Sequence, residues 1–145
     1  MTETSTFTAA MDACNCFALR QATRHVTQIY DRHLAETGLR ATQFSVLRNL
    51  KLRDGASINE LAKLMGMDRT TLGRAIRPLQ RDGLLEIGAG QDGRTRGLRL
   101  TPTGRERLRA AVDKWSAAQR EFETAFGARA SAELRATLGR VIAET

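Results

Sequence analysis

The chain has 145 residues, 41% of them hydrophobic, and a formal charge of +7 at neutral pH. That length supports one hydrophobic core, best completed by a second copy, so a single domain over 1–145 is expected. No apolar run approaches the roughly 18 residues of a membrane span. The opening MTETSTFTAAMD lacks the basic and apolar regions of a secretory leader, and two cysteines make no disulfide framework. Membrane and secreted classes are therefore set aside in favour of the cytoplasm, and the excess positive charge points to a polyanionic partner.

Residues 1–9 are polar and threonine-rich and read as an irregular lead-in. From 10 to 36, Ala18, Ala22, Val26, Ile29 and His33 trace one helical stripe with Leu19, Tyr30 and Leu34 beside it, and Gly38 stops the helix. Thr42 then stands where a cap is needed for a helix containing Phe44, Val46, Leu47 and Leu50, which ends at Arg53-Asp-Gly55. Ser57 and Glu60 have capping-box spacing before a short helix with Ile58, Leu61, Ala62, Leu64 and Met65 on its apolar side. Gly66 turns the chain. Asp68 is placed to cap the next helix, whose Leu72, Ala75, Ile76 and Leu79 fall on one face. Thr70, Gly73, Arg74, Arg77 and Arg81 cluster opposite, a narrow cationic and hydrogen-bonding stripe. Pro78 removes a backbone donor and predicts a kink that spares the first turns.

Two helices joined by a short glycine-containing turn form a helix-turn-helix, whose second helix enters a DNA major groove. Leu84, Leu85 and Ile87, then Leu98 and Leu100, read as two strands around a glycine-rich loop, 88–97. The fold expected is mainly α with a small β-hairpin wing: a winged helix-turn-helix region over 42–101, flanked by terminal helices at 10–36 and 103–144. In the last segment, Leu108, Val112, Trp115, Ala118, Phe122 and Phe126 repeat at helical spacing, as do Leu134, Leu138, Val141 and Ile142. The terminal helices should pack together and serve dimerisation, since a winged unit alone does not need them to touch DNA. A twofold dimer would then set its recognition helices about one helical turn apart, roughly 34 Å, on a pseudo-palindrome.

The sequence resembles the MarR family of bacterial transcriptional regulators over nearly its whole length. The resemblance is carried by Leu79-Gln-Arg-Asp-Gly83-Leu-Leu, by Asp92-Gly-Arg94 in the loop, and by Leu98-Arg-Leu100-Thr101-Pro-Thr-Gly104. It implies a dimeric winged helix protein in which Arg94 reaches a minor groove and Asp92 orients it. It also implies release from DNA when a small aromatic or anionic effector enters a crevice between the dimer helices and the winged unit.

Residues 69–99 hold seven arginines against three acids, Asp82, Glu86 and Asp92. Arg74 and Arg77, one turn apart, suit bidentate contacts to guanine edges, while Thr70 and Thr71 suit phosphate or a thymine methyl. Arg94 suits a narrow minor groove and Arg96 phosphate, with Arg69 at the helix start completing the DNA-binding set together with Asp92. Arg99 fits either a phosphate or a merely solvated strand end, and Arg81 a solvated helix end. For the effector, Arg20, His25, Tyr30, His33 and Trp115 are the polar or amphipathic side chains nearest the crevice that the resemblance implies. A buried arginine among them favours a carboxylate- or phosphate-bearing ligand, such as an aromatic acid or its CoA thioester.

Cys14 and Cys16, two apart on a helix, point to nearly opposite faces, which opposes a metal site, and no cofactor is implied. Cys16-Phe17 and Tyr30 match the reactive cysteine and a tyrosine partner of the family's organic hydroperoxide sensors, but Arg20 and Ala41 replace two further tyrosines. A thiol-based oxidant sensor through Cys16, with the charge of Arg20 favouring the thiolate, is thus an alternative to ligand release. A small thiol peroxidase is the alternative of another class. It leaves the basic wing unexplained and lacks a second placed catalytic group, so no catalytic residue is assigned. A non-specific chromosome-associated protein is the remaining rival.

Overall fold

Where the sequence predicts one long amphipathic helix from residue 10, the chain instead breaks at Cys14. The computed structural model describes residues 3–145, with side chains described from residue 8. Helix α1 spans Glu3–Asp12 and α2 spans Asn15–Leu34. Cys14 is extended between them (φ −73°, ψ 108°), and its sulfur accepts from the Phe17 N–H at 3.4 Å, the position of an N-cap. The lead-in expected over 1–9 is thus helical from Glu3, and residues 1 and 2 lie outside the described residues. At the other end, α2 gives way to a 3-10 turn, Ala35–Thr37, closed by Gly38 at φ +73°.

Helix α3 (Ala41–Leu52) starts one residue before Thr42, which therefore does not cap it. Arg40 holds the cap position, and the first free donors are met from elsewhere: Gln43 Oε1 accepts from Arg40 N–H at 2.9 Å, and Asp31 Oδ1 on α2 accepts from Ala41 N–H at 2.7 Å. The helix is thereby started by its neighbour. Helix α4 (Ile58–Met65) carries the expected box: Ser57 Oγ accepts from Glu60 N–H at 3.1 Å and Glu60 Oε2 accepts from Ser57 N–H at 2.8 Å. Helix α5 (Arg69–Arg81) follows the turn at Gly66 and runs on through Pro78.

Strands β1 (Leu85–Ala89) and β2 (Arg96–Leu100) pair antiparallel, Leu85 with Leu100 and Ile87 with Leu98. The loop between them is 90–95, shorter than the 88–97 expected, because Gly88 and Gly97 pair across the ladder. Residues 55 and 56 flank β2 on its other edge, where Leu98 N–H donates to Ala56 at 2.8 Å and Gly55 N–H to Leu98 at 2.9 Å. Helix α6 (Pro102–Phe126) is capped by Thr101, whose hydroxyl accepts from Gly104 N–H at 3.0 Å and donates to the Gly83 carbonyl at 2.5 Å. A Cβ at Gly104 would fall on the Leu84 carbonyl, so the motif holds glycine there for packing. Gly127 then turns the chain into α7 (Ala128–Glu144).

The core lies within the winged unit and its junction with the long helices. Leu34, Leu47, Leu50, Leu61, Leu72, Leu79, Leu84, Leu85 and Leu98 are fully buried, and Leu108 and Ala111 of α6 close the cluster. Further along α6, Trp115 stacks on Phe44 at 6.0 Å and 10°. Helix α2 packs along α6 as the periodicity predicts, tied by Tyr30 to Gln119 and by Arg32 and His33 to Glu121, while Lys114 reaches Glu36 of the 3-10 turn after α2 at 2.8 Å. Beyond these contacts Phe17, Leu19, Val112, Phe126, Val141 and Ile142 remain exposed. Among the described residues, no helix is long and apolar enough to cross a membrane.

Candidate nucleic-acid interface

Amphipathicity orients α5. Its Leu72, Ile76 and Leu79 are locked into the core, so Arg69, Thr70, Thr71, Arg74 and Arg77 are turned to solvent. Asp68 fixes the start of this face: Oδ1 accepts from Thr71 N–H at 2.7 Å and Oδ2 from the Thr71 hydroxyl at 2.9 Å. Those Thr71 hydrogen bonds, backbone first, hold the Asp68 carboxyl below the usual range, and the charge of Arg74 adds to the effect. Thr71 is thus engaged in the cap, whereas the Thr70 hydroxyl has no partner among the described residues.

The wing tip is organised by one carboxylate. Asp92 Oδ1 accepts from Arg94 N–H at 2.9 Å and from both the N–H and hydroxyl of Thr95 at 3.0 Å. Hydrogen bonds from Thr95 and Arg94 keep its pKa low. The turn is closed by Gly93, at φ +71°, donating to the Gly90 carbonyl at 3.1 Å. Asp92 therefore orients Arg94 through the backbone and leaves the guanidinium outward.

A cleft of about 590 Å³ separates α5 from the wing, lined by Gln80, Ile87, Gly88, Ala89, Gly93, Arg94, Thr95 and Arg96. A smaller hollow of about 190 Å³ brings Arg69 of α5 beside Arg96 of β2 above Ile58, Ile87 and Leu98. Among the described residues none of Arg69, Arg74, Arg77, Arg94 and Arg96 makes an ion pair, so α5 and the wing each present unneutralised cations.

Arg99 is more than a solvated strand end. Asp54 holds it at 2.5 Å, and its Nε donates to the Ala89 carbonyl at 3.2 Å. The Asp54 carbonyl also accepts from Gln91 Nε2 at 3.0 Å, and Arg105 of α6 lies 3.9 Å from the same carboxylate. Asp54 is the organising residue that sequence reading missed, since nothing local pairs it with a strand 45 residues on. Arg81 meets the adjacent Asp82 at 3.4 Å.

The five residues named for an effector divide. Tyr30 lies between two cavities: one of about 340 Å³ among α2, α6 and α7, and one of about 200 Å³ where α2 and α6 meet α3, which Trp115 also lines. Its hydroxyl donates to Gln119, and burial holds the phenol above its ordinary range, reinforced by Glu123 and opposed by Arg135. His33 is instead bound to Glu121 at 2.5 Å. Arg20 and His25 are exposed and line neither cavity. Arg135, which the sequence did not single out, lines the larger cavity beside Glu123 at 3.4 Å. Cys14 is half-buried and Cys16 exposed, and no group of metal-binding side chains occurs among the described residues.

The fold recurs in known proteins. The transcriptional regulator MosR of M. tuberculosis is 36% identical and superposes with a TM-score of 0.78, over 92% of this chain and 98% of that one. The structure of MosR in complex with DNA is 38% identical, with a TM-score of 0.76 over 90% and 97% of the two chains. CouR from Rhodococcus jostii RHA1, bound to p-coumaroyl-CoA, is 22% identical with a TM-score of 0.74 over 90% and 92%, a likeness of fold. No curated protein matches the sequence. The family model described as MarR family matches residues 37–95, which contain α3 to α5, β1 and the wing tip. With that match and a relative above one-third identity over 92% of this chain, the chain belongs to the MarR family of winged helix, DNA-binding transcriptional regulators.

Proposed function

We propose that the protein is a repressor that binds a pseudo-palindromic operator as a homodimer in the cytoplasm, on the nucleoid, and is released by a small aromatic or anionic effector. The observation that carries this reading is the coupling of two sets of features on one chain. Unpaired arginines project from α5 and the wing, while the helices that position them leave Phe126 and Ile142 half or more exposed. A second copy covering those residues holds two readers at one fixed separation, which matches only one half-site spacing.

In this reading Arg74 and Arg77, with Thr70, read base edges, Arg94 enters a minor groove, and Arg69 and Arg96 hold phosphate. Thr71 and Asp92 act by fixing backbone. The effector enters beside Tyr30 and Trp115, where α2 and α6 meet the winged unit, so its binding tilts one reader against the other. An aromatic ring suits the hollow between Tyr30 and Trp115, and a carboxylate suits the adjoining cavity on the other side of Tyr30, where Arg135 supplies a guanidinium. Its CoA thioester suits the same fold, as CouR holds p-coumaroyl-CoA.

Footprinting on duplexes from around its own gene tests the reading. Arg74→Ala is expected to relax specificity at one base pair by about 1–3 kcal/mol, and Arg94→Ala to weaken binding broadly. Binding that loses all sequence preference as salt rises identifies a non-specific chromosomal protein instead. A thermal-shift screen of aromatic acids and CoA thioesters, followed by release from DNA, tests the effector. A second reading rests on Cys16, exposed in the first turn of α2 beside the capping Cys14. There a hydroperoxide oxidises the Cys16 thiolate to a sulfenic acid and is itself reduced to an alcohol. Peroxide that releases the parent but not Cys16→Ser favours this reading over ligand release.

A further inference from the structure

Most of the twelve glycines have a reason within the protein. Six adopt positive φ, and at Gly90, Gly97 and Gly104 a Cβ would strike backbone. Gly73, Gly88 and Gly139 have neither reason: each has an ordinary φ, and a Cβ there meets nothing within 4 Å. Gly73 is the one that stands in the middle of α5, on its outward face, with Arg69 and Thr70 one turn before it and Arg77 one turn after.

A glycine inside a helix lowers the helical equilibrium about fivefold relative to alanine. Nothing in the protein compensates for that at position 73. The missing side chain is therefore accounted for by something outside the chain, on the face where α5 carries its free arginines. Gly88 supports the same direction of approach, since it lines the cleft between α5 and the wing.

We infer that Gly73 is a specificity-determining residue, whose bare backbone lies against base-pair edges in the major groove at a separation that any side chain forbids. The consequence is closer seating of α5, which lets Thr70 and Arg77 reach bases on either side of it. This rests on α5 being the DNA-reading helix.

The experiment uses the full chain, a duplex selected by the parent protein from a random-sequence pool, and a random duplex for comparison. Gly73→Ala is expected to raise Tm by about 2–4 °C while lowering affinity for the selected duplex about tenfold or more, with random-duplex affinity unchanged. A raised Tm with undiminished affinity overturns the inference, because the space is then not used by DNA. A lowered Tm also overturns it, by showing that the glycine serves the fold. Arg74→Ala is measured alongside. If it too binds the selected duplex like the parent, the reading of α5 as the DNA-reading helix fails, whereas loss with Arg74→Ala alone refutes only the role given to Gly73.

Discussion

The winged unit and the terminal helices treat their apolar side chains differently. From Leu39 to Leu100, most large apolar residues close into one core, with Leu52, Leu64 and Ile87 as exposed exceptions, and each helix start is capped locally or by a neighbour. Along α2, α6 and α7 the inner faces meet, but Phe17, Leu19, Val112, Phe126, Val141 and Ile142 face outward, the last at 83% exposure. The first region is finished within one chain, while the second carries a surplus of apolar surface of the kind that marks an interface. The lesson is a division of labour: one region closes a core that holds its arginines outward, and in the proposed dimer the other supplies the surface that a second copy covers.

Breaking the second region has the largest expected effect. Phe126→Glu with Ile142→Glu should leave a folded protein that sediments at 16.0 kDa and binds its operator about 10²–10⁴-fold more weakly, the loss expected when two linked sites become separate. A variant that stays dimeric and binds normally places the interface elsewhere. Breaking the first region has the opposite signature. Leu79→Ala, at a side chain 1% exposed, should lower unfolding free energy by about 2–5 kcal/mol in urea without changing the sedimenting mass of the folded protein. An unchanged urea midpoint would show that the winged core does not depend on α5.

A smaller effect sharpens the contrast inside the winged unit. Asp54→Asn should release Arg99 and loosen the wing, raising affinity for random duplex severalfold while weakening the selected operator. Equal changes in both would reduce Asp54 to a bulk charge. The smallest effect is on pH dependence. Asp68 and Asp92 are held low by hydrogen bonds that favour their ionised forms. Their contribution is therefore full above the ordinary aspartate range, about pH 4, and is lost as pH falls through the lower folded-state values. The stability gap between the parent and Asp68→Asn/Asp92→Asn should be widest near neutrality and close in acid. A gap constant with pH would assign the effect to shape instead of charge.

Much of this was legible in one dimension because the signals are short-range. Ser57 with Glu60, Asp68 with its own first turn, and Leu72, Ile76 and Leu79 on one face of α5 all involve partners within a few residues. The failures share the opposite character. Thr42 lost the cap position because Asp31, ten residues back on another helix, reaches the Ala41 N–H. The break at Cys14 escaped because a cysteine is seldom read as a cap. Arg99 looked free because Asp54 is distant along the chain, and Arg135 went unnoticed because only the fold brings α7 beside Tyr30.

The sequence by itself determined the helix-turn-helix, the hairpin after it and the cationic face of α5, since periodicity, caps and turns act over one or two helical turns. Only the tertiary structure decided which cations stay unpaired, that Asp54 holds Arg99, and where cavities open around Tyr30. Those outcomes depend on groups that meet across the fold, and a carboxylate neutralises whichever guanidinium the packing brings within reach.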